Sequence, residues 1–229
     1  MAKSTYLELC QTVRIECSIL GSIASVLSQS GEFDEVTRWV ANADLETQGR
    51  WLDWDFLHVR TWSVNTVANT AAVVAPADLG TWDRDSFYLN YTLATHKKLL
   101  EVDYKSWRKN NRQGVKVSAQ PSDVVILPDL SLVLEAPPDA VYSLSADYWK
   151  RPAKMTSDTG ASPIPEEYER IIVARAKMMY AEAKGAADVM ASSSVEFDDL
   201  LDKLEAKYLP GLNRTRRMSE PETFIVRPE

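Results

Sequence analysis

Cysteine and histidine are nearly missing from this sequence: each occurs twice in 229 residues. Cys10 and Cys17 stand i and i+7 in one helical pattern, on the same face but about 10 Å apart along the axis, too far for a disulfide. They read as small core residues, and a reducing compartment follows. Neither His58 nor His96 has a second His or Cys at metal-ligand spacing, so no zinc site is expected. The eight glycines are scattered, which leaves no phosphate-cradling loop, and no Gly-x-Ser-x-Gly elbow occurs. The apolar stretch from Ile15 to Leu27 is too short to span a bilayer and is broken by Glu16, Gly21 and several serines. With no leader pattern at the start, a soluble, intracellularly made protein is expected, with no membrane among its partners. Basic residues are outnumbered, 26 against 33 acidic, for a net charge of −7. Such a surface is a poor ligand for nucleic acid as a whole, because counterion release needs Lys and Arg.

The chain is 45% hydrophobic, with seven Trp and nine Tyr. That is enough for one large domain or two small ones. A chain of this length buries roughly 70% of the surface its unfolded form exposes, so no staple is needed. Thr5-Tyr6-Leu7-Glu8 has capping-box spacing, and Tyr6, Leu9, Cys10, Val13 and Cys17 follow at helical intervals. The Ser-rich stretch 22–30 reads as a loop. A second helix starts near Glu32, with Phe33, Val36, Val40, Ala43, Thr47, Trp51 and Trp54 on its buried side and a bend expected at Gly49.

From His58 the period changes to two. Strand-like pieces recur at 71–75, 86–91, 123–127, 131–136 and 141–149, with one short helix over Val102–Asn110. The stretch "SLVLEAPPDAVYSLSADYW" (131–149) reads as a β-hairpin turning at Pro137-Pro138-Asp139-Ala140. Helix returns after Pro163 and Pro165, with a stripe of Tyr168, Ile172, Arg175, Met179 and Ala183. Past Gly185, a last helix carries Met190, Ser194, Phe197, Leu201, Leu204 and Tyr208 on one side. Pro210-Gly211 ends it, and the rest has no sustained period. The expected fold class is therefore α+β: a four-helix bundle with an inserted antiparallel β-sheet domain and an extended C-terminal tail. The divisions are 1–57 and 151–210 for the two halves of the bundle, 58–150 for the insertion and 211–229 for the tail.

Chemistry is sparse. Two acidic pairs, Asp53/Asp55 in "DWDF" and Asp83/Asp85 in "WDRDSF", could hold a divalent cation with sugar or nucleotide phosphates. Asp at helix and strand ends more often caps and turns. Trp39, Trp51, Trp54 and Trp62 could form a stacking platform, though the helical spacing of the first three favours core packing. The acidic last helix (Asp188, Glu196, Asp198, Asp199, Asp202 and Glu205 against Lys203 and Lys207) reads as a solvated face, or one that repels DNA. No catalytic residue, cofactor or metal is expected.

Several stretches, in order, resemble the head-tail adaptor (connector) proteins of tailed bacteriophages. They are "TYLELCQTVRIEC" (5–17), "WVANADLETQGRWLDWDFL" (39–57), "WDRDSF" (82–87), "LPDLSLVLEAPPDAVYSLSADYWKRP" (127–152), "PIPEEYERIIVARAKMMYA" (163–181) and "YLP" (208–210). The Ser-rich loop 22–30 and the long tail depart from that pattern. The resemblance implies a non-enzymatic structural protein of the virion neck, assembled in the host bacterial cytoplasm. It would form a homo-dodecameric ring on the portal protein, below which a tail or nozzle protein attaches, and double-stranded DNA would pass through its channel without specific binding. The alternatives are another neck or tail-completion ring protein, a stopper or terminator, and a metal-dependent enzyme built on the Asp pairs. Partner contacts are expected from Tyr142, Tyr148 and Trp149, since aromatics are enriched at interfaces. In the tail, Phe224, Ile225 and Val226 could add as a strand to a partner's sheet edge, and Arg214, Arg216 and Arg217 could pair with its carboxylates.

Overall fold

A computed structural model describes residues 3–90, 96–110 and 116–209. The tail residues Arg214, Arg216, Arg217, Phe224, Ile225 and Val226 lie outside the described residues. The chain is mixed α+β. Among the described residues it has five α-helices: α1 (Tyr6–Glu16), α2 (Glu32–Gly49), α3 (Tyr104–Asn110), α4 (Arg170–Lys184) and α5 (Ala187–Tyr208). The strands are β1 (His58–Asn65), β2 (Ala72–Val73), β3 (Leu79–Trp82), β4 (Tyr88–Leu89), β5 (Lys97–Lys98), β6 (Leu100–Glu101), β7 (Asp123–Ile126), β8 (Leu132–Leu134) and β9 (Ser143–Lys150). Two compact units result, Met1–Phe56 with Pro152–Glu229, and Leu57–Arg151.

In the first unit, α1 starts on the capping box: the Thr5 side chain accepts from the Glu8 amide at 3.3 Å, and the Glu8 carboxylate accepts from the Thr5 amide at 2.7 Å. The buried face of α1 is Tyr6, Leu9, Cys10 and Val13, and the Tyr6 hydroxyl donates to the Thr37 carbonyl of α2 at 2.6 Å. The loop after α1 is held by Asp158, whose carboxylate accepts from the Val26 amide at 2.6 Å and the Ser25 hydroxyl at 3.1 Å. α2 stops at Gly49 rather than bending there, so Trp51 and Trp54 follow the helix instead of extending its stripe. α4 packs against α1, α2 and α5, and its burial runs through Ile171, Ile172, Val173 and Ala174. That replaces the single stripe expected from Tyr168, Arg175, Met179 and Ala183: a helix with neighbours on several sides is apolar on several sides. Gly185, in the left-handed region at φ +69°, closes α4. Ion pairs knit α1, α4 and α5 together. Arg170 binds Glu16 and, at 2.7 Å, Glu196; Lys177 reaches Glu16 at 3.0 Å and Glu196 at 3.6 Å.

The second unit has two sheets, one ordered β1-β9-β4-β5 with β3 also on β9, the other β2-β8-β7-β6. Their inner faces meet in one apolar cluster that includes Trp82, Phe87, Leu89, Leu132, Leu134, Leu144, Ala146 and Tyr148. The pairings are antiparallel except β6 with β7, which is parallel. The hairpin expected over 131–149 does not form. Both strands exist with the expected alternation, but β8 pairs with β2 and β7, whereas β9 pairs with β1, β3 and β4. Pro137 and Pro138 have no amide to lend to a ladder. Their carbonyls are taken by the amides of Ala119 and Asn69, at 3.0 and 2.7 Å, so the connection crosses from one sheet to the other instead of folding back. Helix α3 also belongs to this unit.

Candidate functional site

The outer face of the β9 sheet is a polar surface of the second unit. Leu144, Ala146 and Tyr148 of β9 point into the core, so Ser143, Ser145, Asp147 and Trp149 point away from it. His58 and Ser63 of β1 lie opposite Trp149 and Ser145. On the other flank, Thr81 lies opposite Trp149 and Tyr88 opposite Ser145. Register slips in β1 between Val59 and Trp62, leaving Arg60 and Thr61 as a bulge where Asp147 would have one partner. The bulge and the turn after β3 shape a groove of about 620 Å³ lined by Arg60, Ser63, Ser86, Tyr88, Ser145 and Asp147, among others.

Three side chains from distant positions converge at Asp147, one of the lining residues. His58, Asp83 and Asp147, all half-buried, each offer one ligand atom within 4.8 Å of the others. The backbone fixes this convergence. The Asp83 amide donates to the Asp147 carbonyl at 3.0 Å, and the Ser86 hydroxyl accepts from the Asp147 amide at 2.8 Å while donating to the Asp83 carbonyl at 2.7 Å. The His58 ring lies flat against Trp149, centroids 4.5 Å apart. Its Nδ1 accepts from Arg60 Nε at 3.1 Å, and its Nε2 is buried without a hydrogen-bond partner. Nothing in the local sequence signals this cluster, because its members come from β1, the turn after β3, and β9.

Ser86 spends its hydroxyl on the backbone groups of Asp83 and Asp147. The Asp83/Asp85 pair is divided between different partners. Asp83 accepts the Asp85 amide at 3.2 Å, a turn-capping bond, and Asp85 turns to Lys98 at 3.6 Å. Asp53 is exposed. The tryptophans form no platform either. Trp54 is fully buried and stacks on Phe56, Trp39 meets Tyr180 edge-on, Trp51 donates to Glu205 at 2.9 Å, and Trp62 packs on Trp82 in the other unit. Cys10 and Cys17 are both free and buried; burial pushes their thiols up, to about 12 and about 11, so neither is a reactive thiolate.

Of the aromatics expected at a partner contact, Trp149 is half-buried on the outer face against His58. Tyr142, also half-buried, donates its hydroxyl to Asp139 at 2.6 Å. Tyr148 is 5% exposed, part of the core, with its hydroxyl on Asp78 at 2.8 Å. Burial, with that carboxylate, pushes its phenol up to about 12. Its position follows from strand parity: one step along β9 separates the outward Trp149 from the inward Tyr148.

A family model, SU10 adaptor protein, matches residues 4–223, nearly the whole chain across both units. The chain belongs to the SU10 adaptor protein family. The resemblance to phage head-tail adaptors, drawn from six short stretches, agrees with this family match over residues 4–223. Comparison with curated proteins gives no match. As a member of the SU10 adaptor family the chain is a phage structural adaptor, a component of the virion neck that interacts with other phage proteins. Among the described residues, no helix is long and apolar enough to cross a membrane.

Proposed function

We propose that this SU10 adaptor is a non-enzymatic ring protein that docks on the portal as a homo-dodecamer and extends the DNA channel between capsid and tail. The family match over residues 4–223 carries the reading. In it, the helices of 1–57 and 151–210 form a four-helix bundle as the body of each ring subunit, and the insertion 58–150 offers sheet faces to neighbouring copies or to the next tail or nozzle protein. The net charge of −7 suits a channel wall past which DNA slides without specific binding. The tail 211–229 tethers the ring to the portal through Phe224, Ile225 and Val226 as an added strand, with Arg214, Arg216 and Arg217 on acidic side chains. Trp149 and Tyr142 present partly exposed aromatic surface for subunit contacts; Tyr148 supports that strand from inside.

The test is to mix the full chain with purified portal rings and weigh the product by native mass spectrometry. The reading expects a portal-bound dodecamer, and a monomer when the chain is alone at low salt, where like-charged copies repel. Failure to bind the portal, or a bound stoichiometry other than a dodecamer, overturns it.

A further inference from the structure

We propose that His58, Asp83 and Asp147 bind one divalent transition-metal cation, of the zinc or manganese type, on the outer face of the β9 sheet. The inference is independent of the adaptor reading. One imidazole and two carboxylates are a donor set such cations take readily. The ligand atoms already lie within 4.8 Å of one another, so the three groups converge on one point. Three features preorganise it. Asp83 and Asp147 are joined through one backbone hydrogen bond and through Ser86. His58 is pinned by its stack on Trp149. The His58 Nε2 atom is buried and makes no hydrogen bond, a cost that a ligand would remove.

Arg60 is the built-in competitor. It donates to His58 Nδ1 at 3.1 Å, which places the proton of a neutral ring on Nε2. A cation at Nδ1 takes the guanidinium's place directly. A cation at Nε2 displaces that proton, and a neutral ring then carries its proton on Nδ1, which turns that atom from acceptor into donor. Either way the cation and the Arg60–His58 bond exclude each other. Three protein ligands leave further positions to water. The ion would tie β1, β9 and the turn after β3 together at both ends of the inserted segment, and so stabilise the second unit as any ligand of the folded state does.

The experiment strips the full chain with a chelator and titrates it calorimetrically with Zn²⁺, Mn²⁺ and Mg²⁺ in separate runs. One equivalent of Zn²⁺ or Mn²⁺ should bind in preference to Mg²⁺ and raise the melting temperature. Asp83→Asn and Asp147→Asn, which keep the shape and the backbone hydrogen bonds, should each weaken binding by about ten-fold or more, and Arg60→Ala should tighten it. Circular dichroism checks that each variant is folded, and Co²⁺ absorption, lost in His58→Gln, reports the nitrogen ligand. No uptake by the wild-type chain at about 1 mM metal, a weak range for dedicated sites, overturns the proposal. So does equal binding by both Asn variants, which would place the ion elsewhere.

Discussion

Asp44 is the most informative single position for testing the energetics of the helical unit. It lies in the middle of α2, fully buried, with one carboxylate oxygen accepting the Ser162 hydroxyl at 2.5 Å and the other without a hydrogen-bond partner. Burial pushes its carboxyl above the ordinary range, although Ser162, Gln48 and the charge of Lys3 pull it back. A carboxyl raised in the folded state binds more protons there than in the unfolded chain. Its contribution is therefore most favourable below the unfolded value of about 3.9 and is lost as pH rises through the folded value. Asp44→Asn replaces the buried ionisable carboxyl with a neutral amide and keeps an acceptor for Ser162. An unsatisfied buried polar group costs about 1–3 kcal/mol, and more when charged. The amide brings its own unpaired N–H, so the net gain at pH 7 should be about 1–2 kcal/mol. For a chain of this size that is a rise of roughly 2–8 °C in Tm. The assay is thermal and urea unfolding of wild type and variant between pH 4 and pH 8, followed by far-UV circular dichroism, which the helices dominate. The advantage of Asn should shrink as pH falls, because the wild-type group takes up its proton. A difference between the two proteins that is constant across that range, or an Asn variant less stable at pH 7, refutes the reasoning.

Glu16 should behave in the opposite sense. Burial pushes its carboxyl up, but the hydrogen bonds from Arg170 and Lys177 outweigh that and hold it below the usual range. Its stabilisation is present above the unfolded value and lost as pH falls through the folded one, so Glu16→Gln should flatten the acid limb of the unfolding curve; an unchanged limb would count against the network. Gly80→Ala should destabilise the sheet unit by about 1–3 kcal/mol, because an added Cβ would sit 2.8 Å from the Arg151 amide nitrogen and 2.9 Å from the Lys150 carbonyl carbon. Near-UV circular dichroism of the Trp82 cluster should report the loss, and wild-type melting would show that β3 and β9 have room. Deleting 212–229 should leave a folded protein that no longer attaches to portal-bearing heads. Phe224→Ser with Ile225→Ser should reproduce most of that defect, and wild-type attachment by the truncated chain would show that the tail is not the tether.

The sequence by itself determined the features whose causes lie within a few residues. The Thr5–Glu8 capping box, the stop at Gly185 and the in–out alternation of β9 all appear where the sequence puts them. So does the Phe197, Leu201 and Leu204 face of α5, because a cap, a left-handed glycine and a hydrophobic period are local devices. Ordered motifs spread along the chain were also enough to point to the family. Only the tertiary structure decided which strand pairs with which. The alternation that made 131–149 look like a hairpin is equally satisfied by β8 and β9 in separate sheets, and the outcome rests on partners as distant as Asn69 and Ala119. β3, β5 and β6 lie outside the strand-like stretches of the sequence and are set by the ladders that receive them. The burial of α4 on several sides needed α1, α2 and α5 in place. The His58–Asp83–Asp147 cluster is the clearest case. Ligand spacing in sequence records only chelation within one element, whereas these three groups meet because β9 pairs with both β1 and β3, with a register slip in each pairing.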